Sequence, residues 1–206
     1  MSDPADERDP AHRVAAVILA AGASSRLGQP KQLLRFDGES LLCRTARLAS
    51  AAGCAPVFVV LGCAAEQMRR ELAGLPATAL VNENWTEGMG SSLRCGMAAA
   101  ALHQPPLHAV LLLVCDQPRL TAEHLQTLLD RHVHGKAPIT ASFYGQRDGV
   151  PAVFARALFP QLLACSGDRG ARDLIRTHAG RIQRLPWPGG ELDIDRPEDL
   201  ERFPNR

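Results

Sequence analysis

A chemically suggestive segment, GASSRLGQPK at residues 22–31, directly follows the apolar run VAAVILAA that extends from Val14 to Ala21. Small residues let a backbone approach a ligand closely, and successive free N–H groups can form an anion-binding concavity. Arg26 and Lys31 add two full positive charges to the same loop. Together these features meet the physical requirements for binding a polyphosphate. The segment therefore predicts a phosphate site.

The spacing within this loop differs from that of the familiar phosphate loops. It matches neither G-x-G-x-x-G nor G-x-x-x-x-G-K-[ST], which disfavours a Rossmann dinucleotide site and a P-loop. An ordinary glycine-rich turn between a strand and a helix, with a solvated lysine, is the competing interpretation.

Short apolar runs alternate with longer amphipathic segments along the chain. Strands are predicted at 14–21, 56–62, 78–82 and 109–116, and helices at 40–53, 64–72, 91–102 and 121–133. This alternation predicts an α/β fold with a mainly parallel sheet covered on both faces, and ligands then bind beyond the carboxyl ends of the strands. Asp116 directly follows the most apolar strand and should therefore lie at the same sheet edge as Lys31. By itself, Asp116 could equally cap the next helix.

Composition limits the possible function classes and the compartment. The chain has 206 residues, 46% hydrophobic and 22% charged, with a formal net charge of +1. We expect one domain at 14–206 after a disordered tail at 1–13, with neither nucleic acid nor a membrane as partner. The first residues are polar and acidic where a signal peptide is basic and then apolar, and six cysteines include no C-x-x-C pair. A cytoplasmic protein is expected.

Six segments in order resemble one protein family. LAAGASSRLGQPK is similar to the signature L-A-A-G-x-S-x-R-[ML]-G-x-x-K of the MobA-like nucleotidyltransferases, especially the branch that contains molybdenum cofactor cytidylyltransferase. The other matching segments are NENWTEGMGSSL, CDQP, DGVPAVF, GDRGAR and DIDRPED, which begin at residues 82, 115, 148, 167 and 193. The chain departs from the family pattern at two positions, where Leu27 replaces the commonest methionine and Arg196 a common threonine. Both departures are minor, because neither removes a charge assigned to the chemistry.

The resemblance implies a Rossmann-like three-layer α/β fold of the nucleotide-diphospho-sugar transferase type. It also implies Mg²⁺-dependent transfer of CMP from CTP to the terminal phosphate of molybdopterin, with pyrophosphate released; Mn²⁺ could replace Mg²⁺. The alternatives are GTP as the donor, a sugar or isoprenoid phosphate as the acceptor, and a non-catalytic carrier that delivers cofactor to a molybdoenzyme or its maturation factor. The preference for cytosine rests on the NENWTEGMGSSL and GDRGAR segments.

The resemblance also assigns residues to roles. The catalytic residues are Lys31, Arg26 and Asp116, and Asp116 and Asp195 bind the metal, although Asp195 could instead cap the segment PEDLERF. The nucleotide-binding residues are Leu19, Ala20, Ala21, Gly22, Ser24, Arg26, Lys31, Asn82, Gly88, Ser91 and Ser92. The acceptor-binding residues are Gly149, Pro151, Asp168, Gly170 and Arg172. The alternative is a purely structural role, in which Ser91 or Ser92 caps the following helix and Asp168 caps a helix near Gly170.

Overall fold

The computed structural model describes residues 13–200, except for the side chains of Arg169, Pro197 and Leu200. Almost all of the predicted tail at 1–13, and the last six residues of the predicted domain at 14–206, therefore lie outside the described residues. Within that part of the chain, no helix is long and apolar enough to cross a membrane.

Nine strands and seven α-helices are found in the described residues. The strands are β1 Val14–Leu19, β2 Arg35–Phe36, β3 Glu39–Ser40, β4 Val57–Leu61, β5 Thr78–Val81, β6 Ala109–Val114, β7 Ile139–Tyr144, β8 Arg147–Ala155 and β9 Ile182–Pro186. The helices are α1 Leu41–Ala51, α2 Ala65–Glu71, α3 Met89–Leu102, α4 Ala122–His134, α5 Phe159–Leu163, α6 Arg172–Thr177 and α7 Pro197–Leu200.

Seven strands form one sheet in the order β5-β4-β1-β6-β8-β7-β9. Strand β8 is antiparallel to both of its neighbours, and the other pairs are parallel. Central strand β1 pairs with β6 in a register that ends at Leu19 opposite Val114. Because these two strands end level, the residues that follow them emerge side by side. The predicted mainly parallel sheet is confirmed.

The apolar character of β1 follows from burial on both of its faces. Side chains alternate across a strand, so Ala16 and Ile18 face one core cluster while Ala15 and Val17 face the other. The first cluster is completed by residues of α1, α2 and α4, and the second by residues of α3, α5 and α6. The sheet is thus the middle of three layers, which is why its strands read as continuous apolar runs.

Of three helices whose N-terminal caps were predicted from the sequence, two begin as predicted. The Ser40 side chain accepts a hydrogen bond from the Cys43 backbone N–H, and that of Thr121 accepts one from His124, so both predicted caps are confirmed. Helix α3 instead begins at Met89, two residues before Ser91. The prediction that Ser91 or Ser92 caps this helix is therefore wrong, since both serines lie inside it.

The pattern-based analysis did not predict β7, β8 and β9. Pro151 lies within β8, where a proline cannot donate to a neighbouring strand. The β7–β8 register shifts between Ala141 and Ser142, which pair with Ala152 and Gly149, and the strand thereby bulges at Val150 and Pro151. A bulge of this kind is set by pairing between strands, which local periodicity does not reveal.

Gly96 lets helix α3 approach the sheet closely. A Cβ atom at Gly96 would lie 2.4 Å from Cγ1 of Val17 and 2.9 Å from Cγ2 of Val60, both in the packed core. We predict that Gly96→Val lowers the free energy of unfolding by about 1 to 3 kcal/mol through overpacking, as measured by urea denaturation. Ala98→Val, on the exposed face of the same helix, is the matched control. Equal stability of the two variants would contradict the packing argument.

Candidate functional site

The Lys31 ammonium group lies between two carboxylates that come from distant parts of the chain. Its Nζ is 2.6 Å from Oδ2 of Asp116 and 2.8 Å from Oδ1 of Asp195. The side chains of Lys31 and Asp116 are 19% and 17% exposed, whereas that of Asp195 is 50% exposed. The sequence-predicted catalytic and metal-binding residues are thus brought together, apart from Arg26.

Strand order and one small apolar cluster bring these three residues together. Lys31 follows the loop after β1, and Asp116 follows neighbouring β6. The Ile194 N–H donates to the Asp116 carbonyl oxygen at 3.0 Å, which attaches the 193–195 segment to the same sheet edge. Ile194 is buried against Leu27 and Leu41, so the first loop and the 193–195 segment share an apolar anchor.

The environment of Lys31 keeps it positively charged. Burial alone lowers the pKa of the ammonium, but the charges of Asp116 and Asp195 and their hydrogen bonds to Nζ outweigh burial and raise the pKa above its ordinary value. Lys31 therefore remains protonated at neutral pH. It can stabilise negative charge on a ligand, but it cannot serve as a general base.

Asp193 is a third carboxylate beside this pair, and it was not among the predicted site residues. Burial, followed by repulsion from Asp116 and Asp195, raises the pKa of Asp193 to about 7 despite the opposing charges of Arg147 and Lys31. Its Oδ1 is buried and has no hydrogen-bond partner. The Asp-Ile-Asp spacing was the available signal, because residues two apart in an extended segment point to the same side.

A buried glutamine braces the first loop. Nε2 of Gln32 donates to the carbonyl oxygens of Ala20 at 3.0 Å and Gly22 at 2.7 Å. The Ser24 hydroxyl donates to Oε1 of Gln32 and accepts from the Lys31 backbone N–H. Ala20 and Ser24, both predicted to bind nucleotide, thus shape the loop through these bonds. No sequence pattern pointed to Gln32, which follows Lys31 as an ordinary polar residue.

A first cleft of about 460 Å³ opens above this loop. The predicted nucleotide-binding residues that line it are Leu19, Ala21, Gly22, Lys31, Gly88 and Ser92. A Cβ atom at Gly22 would meet nothing within 4 Å, and the φ of Gly22 is not in the left-handed region. Protein packing therefore does not require glycine there, and the open backbone at Gly22 permits close approach of a ligand.

Two other predicted nucleotide-binding residues lie behind the lining of this cleft. Nδ2 of buried Asn82 donates to the hydroxyls of Ser91 at 2.9 Å and Ser92 at 3.1 Å. Ser91 in turn donates to the carbonyl oxygens of Asn84 and Gly88. Asn82 and Ser91 therefore hold the start of α3 in place, whereas Ser92 reaches the cleft itself.

The glycines of the Gly-Met-Gly segment make room for another part of the chain. A Cβ atom at Gly90 would lie 2.7 Å from the backbone of Ser166, and one at Gly88, where φ is +103°, would lie 2.3 Å from Oδ1 of Asp168. Both glycines thus permit the 166–168 turn to pack against the start of α3. Asp168 does not cap α6, since Ala171 precedes that helix without a side-chain cap.

A second cleft of about 550 Å³ adjoins the first at Met89, which lines both. Gly149, Asp168 and Arg172 line it, as expected for acceptor-binding residues, while Leu112, Val114 and Ile175 add apolar surface. Pro151 and Gly170 do not line it. The Pro151 carbonyl oxygen accepts from the Ser142 hydroxyl inside the sheet, and Gly170 packs against Met89. Lys31 and Asp116 line both clefts.

Arg26 lines a third cleft, of about 380 Å³. Its neighbours there include Glu191, Asp193, Asp195 and Arg196. In this structure Arg26 thus shares a cleft with the acidic 191–195 segment and does not line the first cleft. Arg26, predicted to bind nucleotide, would have to do so from this third cleft.

Asp116 and Asp195 suit a hard divalent cation. Oδ1 of Asp116 is buried without a hydrogen-bond partner, and carboxylate oxygens are the ligands that Mg²⁺ prefers. Within residues 13–200, no group of three or more histidine, cysteine or acidic side chains is arranged to hold a metal ion. A cation at this pair would therefore need further oxygens from substrate and water, which is the usual situation for Mg²⁺.

The raised pKa of Asp193 predicts pH-dependent stability. Because the folded pKa of about 7 exceeds the unfolded value, the stability contributed by this carboxyl is complete below pH 4 and is lost as pH rises through 7. We expect Asp193→Asn to be more stable than the unmodified protein at pH 8 by on the order of 1 kcal/mol, reduced by partial solvent exposure.

This difference should vanish at pH 4 when denaturation is measured with EDTA present. Asp130→Asn removes one charge from an exposed position of α4 and controls for net charge. A stability difference for Asp193→Asn that does not change with pH would contradict the assignment.

The chain is similar to a known protein family and to several curated proteins. A model of the MobA-like NTP transferase domain matches residues 16–182. The nicotine blue oxidoreductase of Paenarthrobacter nicotinovorans is 36% identical over 202 residues, which are 92% of this chain and 96% of that protein. A probable molybdenum cofactor guanylyltransferase of Synechococcus elongatus is 41% identical over 115 residues, 54% of this chain and 55% of that protein.

Solved structures of other proteins have the same fold. Rv0371c from Mycobacterium tuberculosis superposes with a TM-score of 0.80 at 30% identity, covering 93% of this chain and 97% of that one. Its complex with manganese has a TM-score of 0.77 at 28% identity and the same coverage. The Rossmann-like fold of the nucleotide-diphospho-sugar transferase type is confirmed. The chain belongs to the MobA-like NTP transferase family and is a nucleotidyltransferase.

Proposed function

We propose that this protein transfers CMP from CTP to the terminal phosphate of molybdopterin in a Mg²⁺-dependent reaction that releases pyrophosphate. The observation that carries the proposal is the position of Lys31, held by Asp116 and Asp195 where the first and second clefts meet. One cleft can then hold the nucleotide and the other the acceptor, with a permanent positive charge between them.

This arrangement suits direct attack by a phosphate group. A phosphate monoester has a second pKa near 6, so the acceptor is largely anionic at neutral pH and needs no strong base. What the reaction requires is suppression of the repulsion between two anions and stabilisation of the charge on departing pyrophosphate. Lys31, which stays protonated, meets both requirements.

Asp116 and Asp195 would hold the divalent cation. Bound there, Mg²⁺ or Mn²⁺ would supply positive charge to the triphosphate and polarise its oxygens. The manganese complex of the mycobacterial relative supports a divalent cation in this family. Lys31 binds the same two carboxylates, and it can therefore keep them in position when the cation is absent.

The start of α3 supports binding of the nucleotide in the first cleft. This helix spans 14 residues and begins at Met89, so its N-terminal dipole favours negative charge at the cleft. Gly22, whose small size no protein contact requires, lets the loop backbone approach the phosphates. Arg26 would reach the outer phosphates from the third cleft, which it shares with Asp195.

The identity of the acceptor is inferred from the second cleft together with the relatives. Its apolar residues suit a flat heterocycle, and Arg172 suits a phosphate. A relative named as a molybdenum cofactor guanylyltransferase supports a molybdopterin acceptor. The same relative makes GTP the competing donor, while CTP rests on the sequence resemblance. We place the reaction in the cytoplasm, because all six thiols are free.

The defining test is pyrophosphate release with Mg²⁺, freshly prepared molybdopterin and one nucleoside triphosphate at a time. We expect release that depends on both molybdopterin and CTP. Release with GTP alone would retain the reaction and overturn the base assignment. Release that needs a sugar phosphate or an isoprenoid phosphate instead would overturn the acceptor.

Replacement of Lys31 distinguishes an enzyme from a non-catalytic carrier. We predict that Lys31→Met lowers kcat for pyrophosphate release by about 100-fold or more, because a preorganised charge at the reacting phosphates is lost. The chain has two lysines, and Lys136→Met at the exposed Lys136 is the matched control. If Lys31→Met and Asp116→Asn both left delivery of cofactor to a molybdoenzyme intact, the carrier function would be favoured.

A further inference from the structure

Some of the positively charged side chains that line the second cleft are not engaged in ion pairs. Lys31 is bound by Asp116 and Asp195, and Arg176 pairs with Asp173 at 3.1 Å. Asp148 is engaged by Arg184 through two hydrogen bonds, of 2.7 and 2.9 Å. Two arginines of the cleft, Arg147 and Arg172, make no ion pair or side-chain hydrogen bond with any described residue.

Arg147 is held in position by an aromatic ring. It is the first residue of β8, directly opposite Tyr144 across a two-residue turn in which Gly145 and Gln146 have φ values of +52° and +60°. The Arg147 guanidinium carbon lies 5.7 Å from the centre of the Tyr144 ring. A guanidinium over a ring face keeps its in-plane N–H groups available for an anion.

The Tyr144 ring is itself fixed on several sides. Its hydroxyl donates to the Val150 carbonyl oxygen at 2.7 Å and accepts from Nε2 of Gln117 at 3.3 Å. Its ring packs edge-on against Trp187, with centroids 5.5 Å apart. Arg147 therefore rests on a rigid platform, which lowers the conformational entropy that it would lose on binding a ligand.

Charge balance explains why this cleft needs such an arginine. Asp116, Asp168, Asp193 and Asp195 all line the cleft, and they would repel an incoming phosphate. Lys31 already neutralises part of this charge by contact with two of them. A phosphate dianion adds two more negative charges, which the two unpaired arginines can balance, and arginine can bind phosphate through two parallel hydrogen bonds.

We propose that Arg147, held over the Tyr144 ring, binds the terminal phosphate of the acceptor together with Arg172 and thereby determines specificity for phosphorylated acceptors. The proposal rests on the proposed function for the chemical class of the acceptor. It adds a residue that neither the sequence patterns nor the resemblance indicated.

The test compares the binding of molybdopterin with that of its dephosphorylated form, measured anaerobically by calorimetry without nucleotide. The protein should bind the phosphorylated form more tightly. Arg147→Met should weaken binding of that form about 10- to 100-fold and leave binding of the dephosphorylated form within twofold, because charge-assisted hydrogen bonds to phosphate are lost. Arg147→Lys should give an intermediate loss, because lysine lacks the planar fork.

Arg70→Met, at an exposed position of α2 that lies outside the second cleft, is the matched control. Its binding of both compounds should stay within twofold of the unmodified protein. The inference is overturned if Arg147→Met weakens both forms equally or neither, or if the unmodified protein does not distinguish them. Intact phosphate-dependent binding without pyrophosphate release would refute the proposed function and leave the role of Arg147 standing.

Discussion

The contact of Lys31 with Asp116 and Asp195 is the interaction on which the candidate site depends. It joins residues separated by 85 and 164 positions in the chain. A partly buried ammonium group without these partners would be costly, as would the carboxylates without it. These ion pairs hold the Lys31 ammonium group where both clefts can reach it. The proposed reaction requires this geometry.

Packing around the site assigns different roles to residues that look alike in sequence. Gly90 and Gly96 are small because protein atoms lie too close for a side chain, whereas Gly22 has open space around it. Among the serines, Ser24 shapes the first loop, Ser91 supports the start of α3, and Ser92 lines the first cleft. A motif match alone could not separate these supporting residues from the residues exposed to a ligand.

Local patterns predicted the N-terminal half of the fold well. Apolar runs and capping residues such as Ser40 and Thr121 act over a few neighbouring positions, so they can be read directly. The C-terminal half was predicted poorly. Strand β8 contains Gly149 and Pro151, and it becomes a strand only because β6 and β7 pair with it on either side. The contacts of Gln32 and Asp193 likewise depend on distant backbone.

The sequence by itself determined the α/β class, the order of the first elements, the family and the residues of the charged centre. These follow from periodicity, from the rule that the carboxyl ends of parallel strands lie at one edge of a sheet, and from motifs in which specific side chains recur at fixed spacing. Tertiary structure alone decided which predicted residues face a cleft, that Arg26 lines a separate cleft, and that Arg147 rests on Tyr144 with no ion pair among the described residues. Each of these depends on contacts between chain segments, whose distances no local pattern encodes.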